Sequence, residues 1–271
     1  MSTLTLSYPE LARSTPEMFR ACGFSVGQAD DAAEMLLMTE VLGSDAYRYL
    51  LENKGSTLNA ALRPHVEHAE DGQYRIDGAG LSLLQIGPRL IDLACGEASR
   101  AGCAFMVVHR TDGALFAPYL ARRAARHGYR AVLRVVGLAA SRSVAAEPDH
   151  AGREPSVYVG AGSASGDYPD DTRSLMDRLH RFLALHADAT SDDGWAAIAV
   201  ERVERVERHD ESGMQQAPRE AVSAERIDFD AALQHALRHG MTMDAATFSR
   251  LGELLVSLRV PTSERSRRQA G

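Results

Sequence analysis

Apolar positions recur at helical spacing in two N-terminal stretches. From Glu10 to Ala21 they are Leu11, Met18 and Phe19, and Gly23 marks the stop. From Gln28 to Leu42, Ala29, Ala32, Ala33, Leu36, Leu37 and Val41 make a wide apolar face that Gly43 ends. Thr57 to Tyr74 is polar, with Arg63, His65 and His68 as scattered charges. His65 and His68 have the spacing of a metal pair, but no third ligand converges on them by sequence, so a solvated segment is expected. The pattern then alternates. Tyr74 to Asp77 reads as a short strand ending in a Gly-rich corner, and Gly87 to Arg100 as a helix carrying Leu90, Ile91, Leu93, Ala94 and Ala98. Ala104 to Val108 reads as an all-apolar strand. Leu115 to Ala125 reads as a helix that buries Tyr119, Leu120 and Ala124, and Tyr129 to Val136 as a strand after Gly128. Strands alternating with helices predict an α/β layer.

The second half is more broken. Gly137 to Pro155 reads as a small polar connection and Ser156 to Gly160 as a strand. Asp170 to His186 reads as an amphipathic helix with Leu175, Met176, Leu179, Phe182 and Leu183 on one face. Trp195 to Val206 is expected to be extended, its far half charged, and Asp210 to Glu225 to be a polar loop. Ile227 to Arg238 and Ala245 to Leu258 read as helices around Gly240, with Asp244 capping the second. The Ser/Arg-rich tail from Pro261 to Gly271 is expected to fray.

Composition narrows the class. With 271 residues, 45% hydrophobic and 25% charged, the chain reads as an ordinary globular protein. A net charge of −7 argues against nucleic acid or an anionic membrane as partner. No apolar run has the length of a membrane span, and the first residues lack the pattern of a signal peptide. Three cysteines, Cys22, Cys95 and Cys103, show no paired spacing. They read as buried thiols in a reducing cytoplasm. Lys54 is the only lysine, which excludes a Walker loop; its polar surroundings read as a solvated helix end.

The chemical feature is the loop His109-Arg110-Thr111-Asp112-Gly113, which leaves a buried strand and enters a helix, a common place for a site. A strand, a polar loop ending in Gly-Ala, a Tyr-bearing helix, then Gly and an apolar strand resembles the malate/L-lactate dehydrogenase family with the non-Rossmann fold. Ureidoglycolate dehydrogenases and Δ1-piperideine-2-carboxylate reductases belong to that family. The closing Gly-Met-Thr-Met-Asp-x-x-Thr-Phe-x-x-Leu also resembles its last helix. The resemblance implies an α/β fold with a central mixed sheet layer, N- and C-terminal helices packed together, and homodimers with shared sites. It divides the chain into a helical domain, 1–72 and 220–271, and a central α/β domain, 73–219.

The chain departs from the family at decisive positions. The family opens with a serine-histidine-glycine motif, whose histidine donates a proton, and an arginine that holds a carboxylate. Here the segment is Gly43-Ser44-Asp45-Ala46-Tyr47-Arg48, and no histidine occurs between Met1 and Pro64. Arg48 matches the arginine, and Asp45 stands for the histidine if Ser44 matches the serine. Ser44 or Asp45 could equally cap the next helix, leaving Arg48 a surface or dimer-contact residue. The family's loop histidine falls on Thr111 or Asp112. His109 lies one strand position early, either bonded to backbone at a strand end or serving as a relocated acid/base. The family's main cofactor block finds no match, so the fold is expected to be truncated in the cofactor region.

The resemblance therefore implies a repurposed member acting on a small metabolite. The first reading is an acid/base enzyme without cofactor, running a cyclisation, isomerisation or elimination with Asp112, His109, Asp45 and Tyr119 as catalytic candidates and Arg48, Ser44 and Thr111 holding substrate. The second is an NAD(P)H-dependent reductase of a 2-oxo acid or cyclic imine. The third is a non-catalytic ligand-binding or partner subunit.

Overall fold

The computed structural model describes residues 2–137, 141–149, 153–160, 168–186, 193–203 and 224–258. The expected strand beyond 203, the expected loop through 223 and the tail from 261 lie outside the described residues. Strand β1 (Thr3–Leu6) leads into helices α1 (Tyr8–Ala21), α2 (Val26–Val41), α3 (Ala46–Glu52) and the single turn α4 (Lys54–Thr57). Then come β2 (His65–Glu70), β3 (Gln73–Asp77), α5 (Leu83–Ala101), β4 (Cys103–His109), a 3-10 turn (Ala114–Phe116), α6 (Ala117–Arg126) and β5 (Tyr129–Val136). The chain continues through β6 (Ser141–Glu147), β7 (Ser156–Gly160), α7 (Asp170–Leu185) and β8 (Trp195–Arg202). It closes with β9 (Glu225–Ile227), α8 (Phe229–His239), β10 (Met241–Asp244) and α9 (Ala245–Leu258).

Eight strands form one mixed sheet in the order β2-β3-β4-β8-β5-β6-β7-β9. Only the β3–β4 pair is parallel among them, as a strand-helix-strand crossover through α5 requires. The sheet has two covered faces. Ala104, Met106 and Val108 of β4 point into the large apolar cluster with α5 and α6. Phe105 and Val107 alternate to the other face, where Leu175, Met176 and Leu179 of α7 pack. The large cluster runs from Leu11 to Leu254, so the helices of both chain ends share it with α5 and α6.

Several expectations change. The polar connection 137–155 contains β6, whose Val144, Ala145 and Ala146 are fully buried. Between two covered faces a strand needs small side chains rather than strict alternation, and Ser-Arg-Ser-Val-Ala-Ala-Glu carries no periodic signal. β2 and β9, expected in the helical domain, belong to the large sheet. All six residues of β2 are exposed, so edge pairing rather than an apolar pattern makes it a strand. β1 and β10 pair only with each other, antiparallel, and join the two chain ends. Among the described residues no helix is long and apolar enough to cross a membrane.

Candidate functional site

Two loops follow the parallel strands, and their backbones interlock. Gly78 N–H donates to His109 O at 2.8 Å, Gly80 N–H to Arg110 O at 2.9 Å, and Leu83 N–H to Asp112 O at 2.7 Å. A Cβ on Gly78 would lie 2.8 Å from Arg110 O, so only glycine permits this approach. Asp77 holds both loops: Oδ1 accepts Ala79 N–H at 2.8 Å and Arg110 Nε–H at 2.8 Å, and a second guanidinium nitrogen reaches Oδ2. These bonds keep the Asp77 carboxyl below its usual range, the Arg110 guanidinium being the largest cause. Ala79 and Arg110 both take positive φ, at 55° and 52°, so the corner holds backbone strain of the kind found at sites.

The sequence-predicted residues separate here. Thr111 is 2% exposed, and its hydroxyl donates to Leu81 O at 2.7 Å, so it faces the fold and not a substrate. Asp112 docks on the start of α5, and its Oδ1 accepts Gly113 N–H at 2.6 Å. The Tyr49 hydroxyl, which the sequence reading did not single out, lies beside it, 3.1 Å from Ser82 Oγ. Burial raises the Tyr49 pKa; the bond to Ser82 opposes that, and the charge of Asp112 adds to it.

Ser44, Asp45 and Arg48 lie at the start of α3. The Arg48 guanidinium pairs with the Asp45 carboxylate, and both are about half exposed. Neither Ser44 nor Asp45 caps the helix. Glu40 does so from α2, accepting Tyr47 N–H at 3.1 Å. Tyr119 is buried against α2, where it lines a 240 Å³ cavity with Glu34, Arg122 and Arg123. A larger cavity of 1390 Å³ lies between the end of α6, the start of β7 and the start of α8, with His127, Arg153 and Asp228 in its wall. The seven candidates line neither of these together.

His109 goes to the opposite side. It continues the phase of Phe105 and Val107 and so leaves β4 on the face covered by α7. There its Nε2 lies 3.0 Å from Glu67 Oε1, with the imidazole 15% exposed. Glu67 Oε2 accepts Arg75 Nε–H at 2.8 Å, so one carboxylate bridges strands β2, β3 and β4. Desolvation works against ionised Glu67, but His109 and Arg75 outweigh it and hold its pKa below the usual value. Trp195 stands directly across β8 from His109. Sequence reasoning missed Glu67 because nothing in the polar 57–74 stretch signals its strand.

No family model matches the sequence, and no curated protein matches it. Solved structures do match. Malate dehydrogenase from Entamoeba histolytica is 12% identical, with 96% of this chain and 99% of that one covered at a TM-score of 0.65. Malate dehydrogenase from Pyrococcus horikoshii OT3 is 13% identical, with 96% and 97% covered and a TM-score of 0.65. Δ1-Piperideine-2-carboxylate reductase from Pseudomonas syringae pvar. tomato is 17% identical, with 93% and 99% covered and a TM-score of 0.58. At such identities the likeness speaks for architecture alone, and it does so along nearly the whole chain: the protein has the malate/lactate dehydrogenase-like fold.

Proposed function

We propose that the protein is an enzyme that transfers protons on a small metabolite without a dinucleotide, with His109 as its acid/base. The observation that carries this reading is the His109–Glu67 pair, 3.0 Å apart, with the imidazole largely covered at a strand end and the carboxylate on the exposed edge strand β2. Imidazole changes charge near neutral pH, and a carboxylate at its ring nitrogen orients the ring and stabilises the imidazolium that forms. Isomerisation, elimination and cyclisation can each begin with a proton removed from the substrate, which such a pair can accept and return. If Ser44 matches the family's serine, its first histidine position holds Asp45, paired with Arg48; its loop histidine falls on Thr111, bonded to Leu81, or on Asp112, bonded to Gly113 N–H.

The glycine-rich corner does not fit the pyrophosphate of a dinucleotide. A pyrophosphate cradle needs free main-chain N–H groups. Here Gly78, Gly80, Leu81, Ser82 and Leu83 donate to backbone carbonyls, while Ala79 and Leu84 donate to the Asp77 and Ser82 side chains. One observation favours the second reading, an NAD(P)H-dependent reductase of a 2-oxo acid or cyclic imine: the likeness to the malate dehydrogenase from Entamoeba histolytica covers 96% of this chain.

Incubation with a panel of small ketones and carboxylic acids in heavy water, followed by proton NMR, tests the acid/base reading. Wild-type protein is expected to exchange an acidic C–H, and His109→Asn to slow that exchange by about 10²–10⁴-fold. Exchange that survives in His109→Asn at the wild-type rate would sink the assignment. A homodimer is part of the proposal, with Leu237, Phe248 and Val256, exposed apolar residues of α8 and α9, at the contact. Sedimentation that gives a monomer for the wild type would remove it.

A further inference from the structure

Arg134 sits on the same sheet face as His109 and is half-buried. Its guanidinium lies over the Trp195 ring, 5.7 Å from the centroid. Among the described residues no carboxylate pairs with it, unlike the other partly buried arginines nearby, Arg75, Arg130 and Arg178. A charge withdrawn from water without a counter-ion is costly. His180 of α7 faces the same region, and its Nε2 is buried without a hydrogen-bond partner. Burial holds His180 in its neutral form; the charge of Arg134 adds to this, and Asp177 opposes it. An orphaned buried nitrogen and an unneutralised cation on one face ask for the same thing, an acceptor that carries negative charge.

We propose that Arg134, Trp195 and His180 form the grip for the substrate's carboxylate, and that the substrate is a small, flat, conjugated carboxylate. The inference rests on the acid/base reading of His109. The guanidinium, already stacked on the indole, presents its fork to carboxylate oxygens and its outer face to a planar body. His180 Nε2–H, when that tautomer forms, donates to the same carboxylate. The sheet register sets the spacing. His109 opposes Trp195, which opposes Val136, and Arg134 lies two residues before Val136 on the same face. Strands β4 and β5 flank β8, so their axes are about 10 Å apart, which sets His109 and Arg134 on either side of Trp195.

Trp195 is the only tryptophan, so its fluorescence reports on this place alone. Benzoate is the probe and benzamide the neutral control. Benzoate is expected to change the emission saturably and benzamide to leave it unchanged. Arg134→Gln should weaken benzoate by about tenfold or more, the usual loss for a charge-assisted bond. Arg134→Lys guards against misfolding: it keeps the cation and should bind between wild type and Arg134→Gln. His109→Asn should bind benzoate as wild type does while losing proton exchange, which separates the grip from the chemistry. No saturable response in wild type, or equal affinity in wild type and Arg134→Gln, would overturn the grip. Benzoate binding that depends on Arg134, beside exchange that ignores His109, would leave the grip standing and remove the acid/base reading.

Discussion

His109 and Thr111 are two residues apart and have opposite fates. The hydroxyl of Thr111 satisfies Leu81 O inside the fold. Thr111→Val leaves that buried carbonyl unpaired, and a loss of about 1–3 kcal/mol in denaturant unfolding is expected, with proton exchange retained. His109 instead keeps the phase of β4 and meets Glu67, and Glu67→Gln should slow exchange while leaving the unfolding midpoint nearly unchanged. The strand was legible in the sequence, but an all-apolar run does not tell which face His109 takes, and its partner was hidden because β2 shows no pattern. Glu40 is another residue the sequence concealed. It lies inside an apolar helix face and caps α3 from a distance. Burial raises its pKa, with the Tyr47 and Ala46 N–H groups opposing. A carboxyl raised in the folded state holds its proton longer there than in the unfolded chain, so stability falls as pH rises from the unfolded value through the folded one. Glu40→Gln keeps an acceptor for Tyr47 and should flatten that part of the pH profile. Glu40→Ala removes the cap and should cost about 1 kcal/mol, read from unfolding curves at several pH values.

Elements with a clear period were legible nearly to the residue. Tyr129–Val136 and Ser156–Gly160 are strands with the expected bounds, and α7 ends one residue before the expected end. α5 begins earlier than expected because Ser82 accepts Leu84 N–H and the corner itself starts the helix. Elements defined by pairing alone were not legible. β6, β2 and the β1–β10 pair become strands because a neighbour completes their hydrogen bonds, which no local pattern reports. The interlocked corner depends on Gly113, which has φ +110° and would place a Cβ 2.9 Å from Ser82 Oγ. Gly113→Ala should therefore cost about 1–3 kcal/mol, seen as a lower denaturant midpoint at unchanged slope.

At the scale of the molecule, sequence identities of 12% to 17% go with a shared fold across at least 93% of the chain. Core patterning tolerates wholesale exchange of side chains, so the fold persists where the chemistry has room to change. The helices of both ends, joined by β1 and β10, close one side of the sheet. The other side keeps α7 and, next to it, the polar row of Glu67, His109 and Arg134. The glycine-rich corner is tied shut by its own backbone. Proton transfer without a dinucleotide is the central claim. Titration of NADH and NADPH into the purified protein, followed by thermal unfolding, tests it most directly. A ligand of the folded state at a hundredfold excess over its Kd stabilises by about 2.7 kcal/mol, a shift well within reach of the measurement. The account predicts no shift with either nucleotide at millimolar concentration; clear stabilisation at micromolar nucleotide would contradict it and restore the reductase reading.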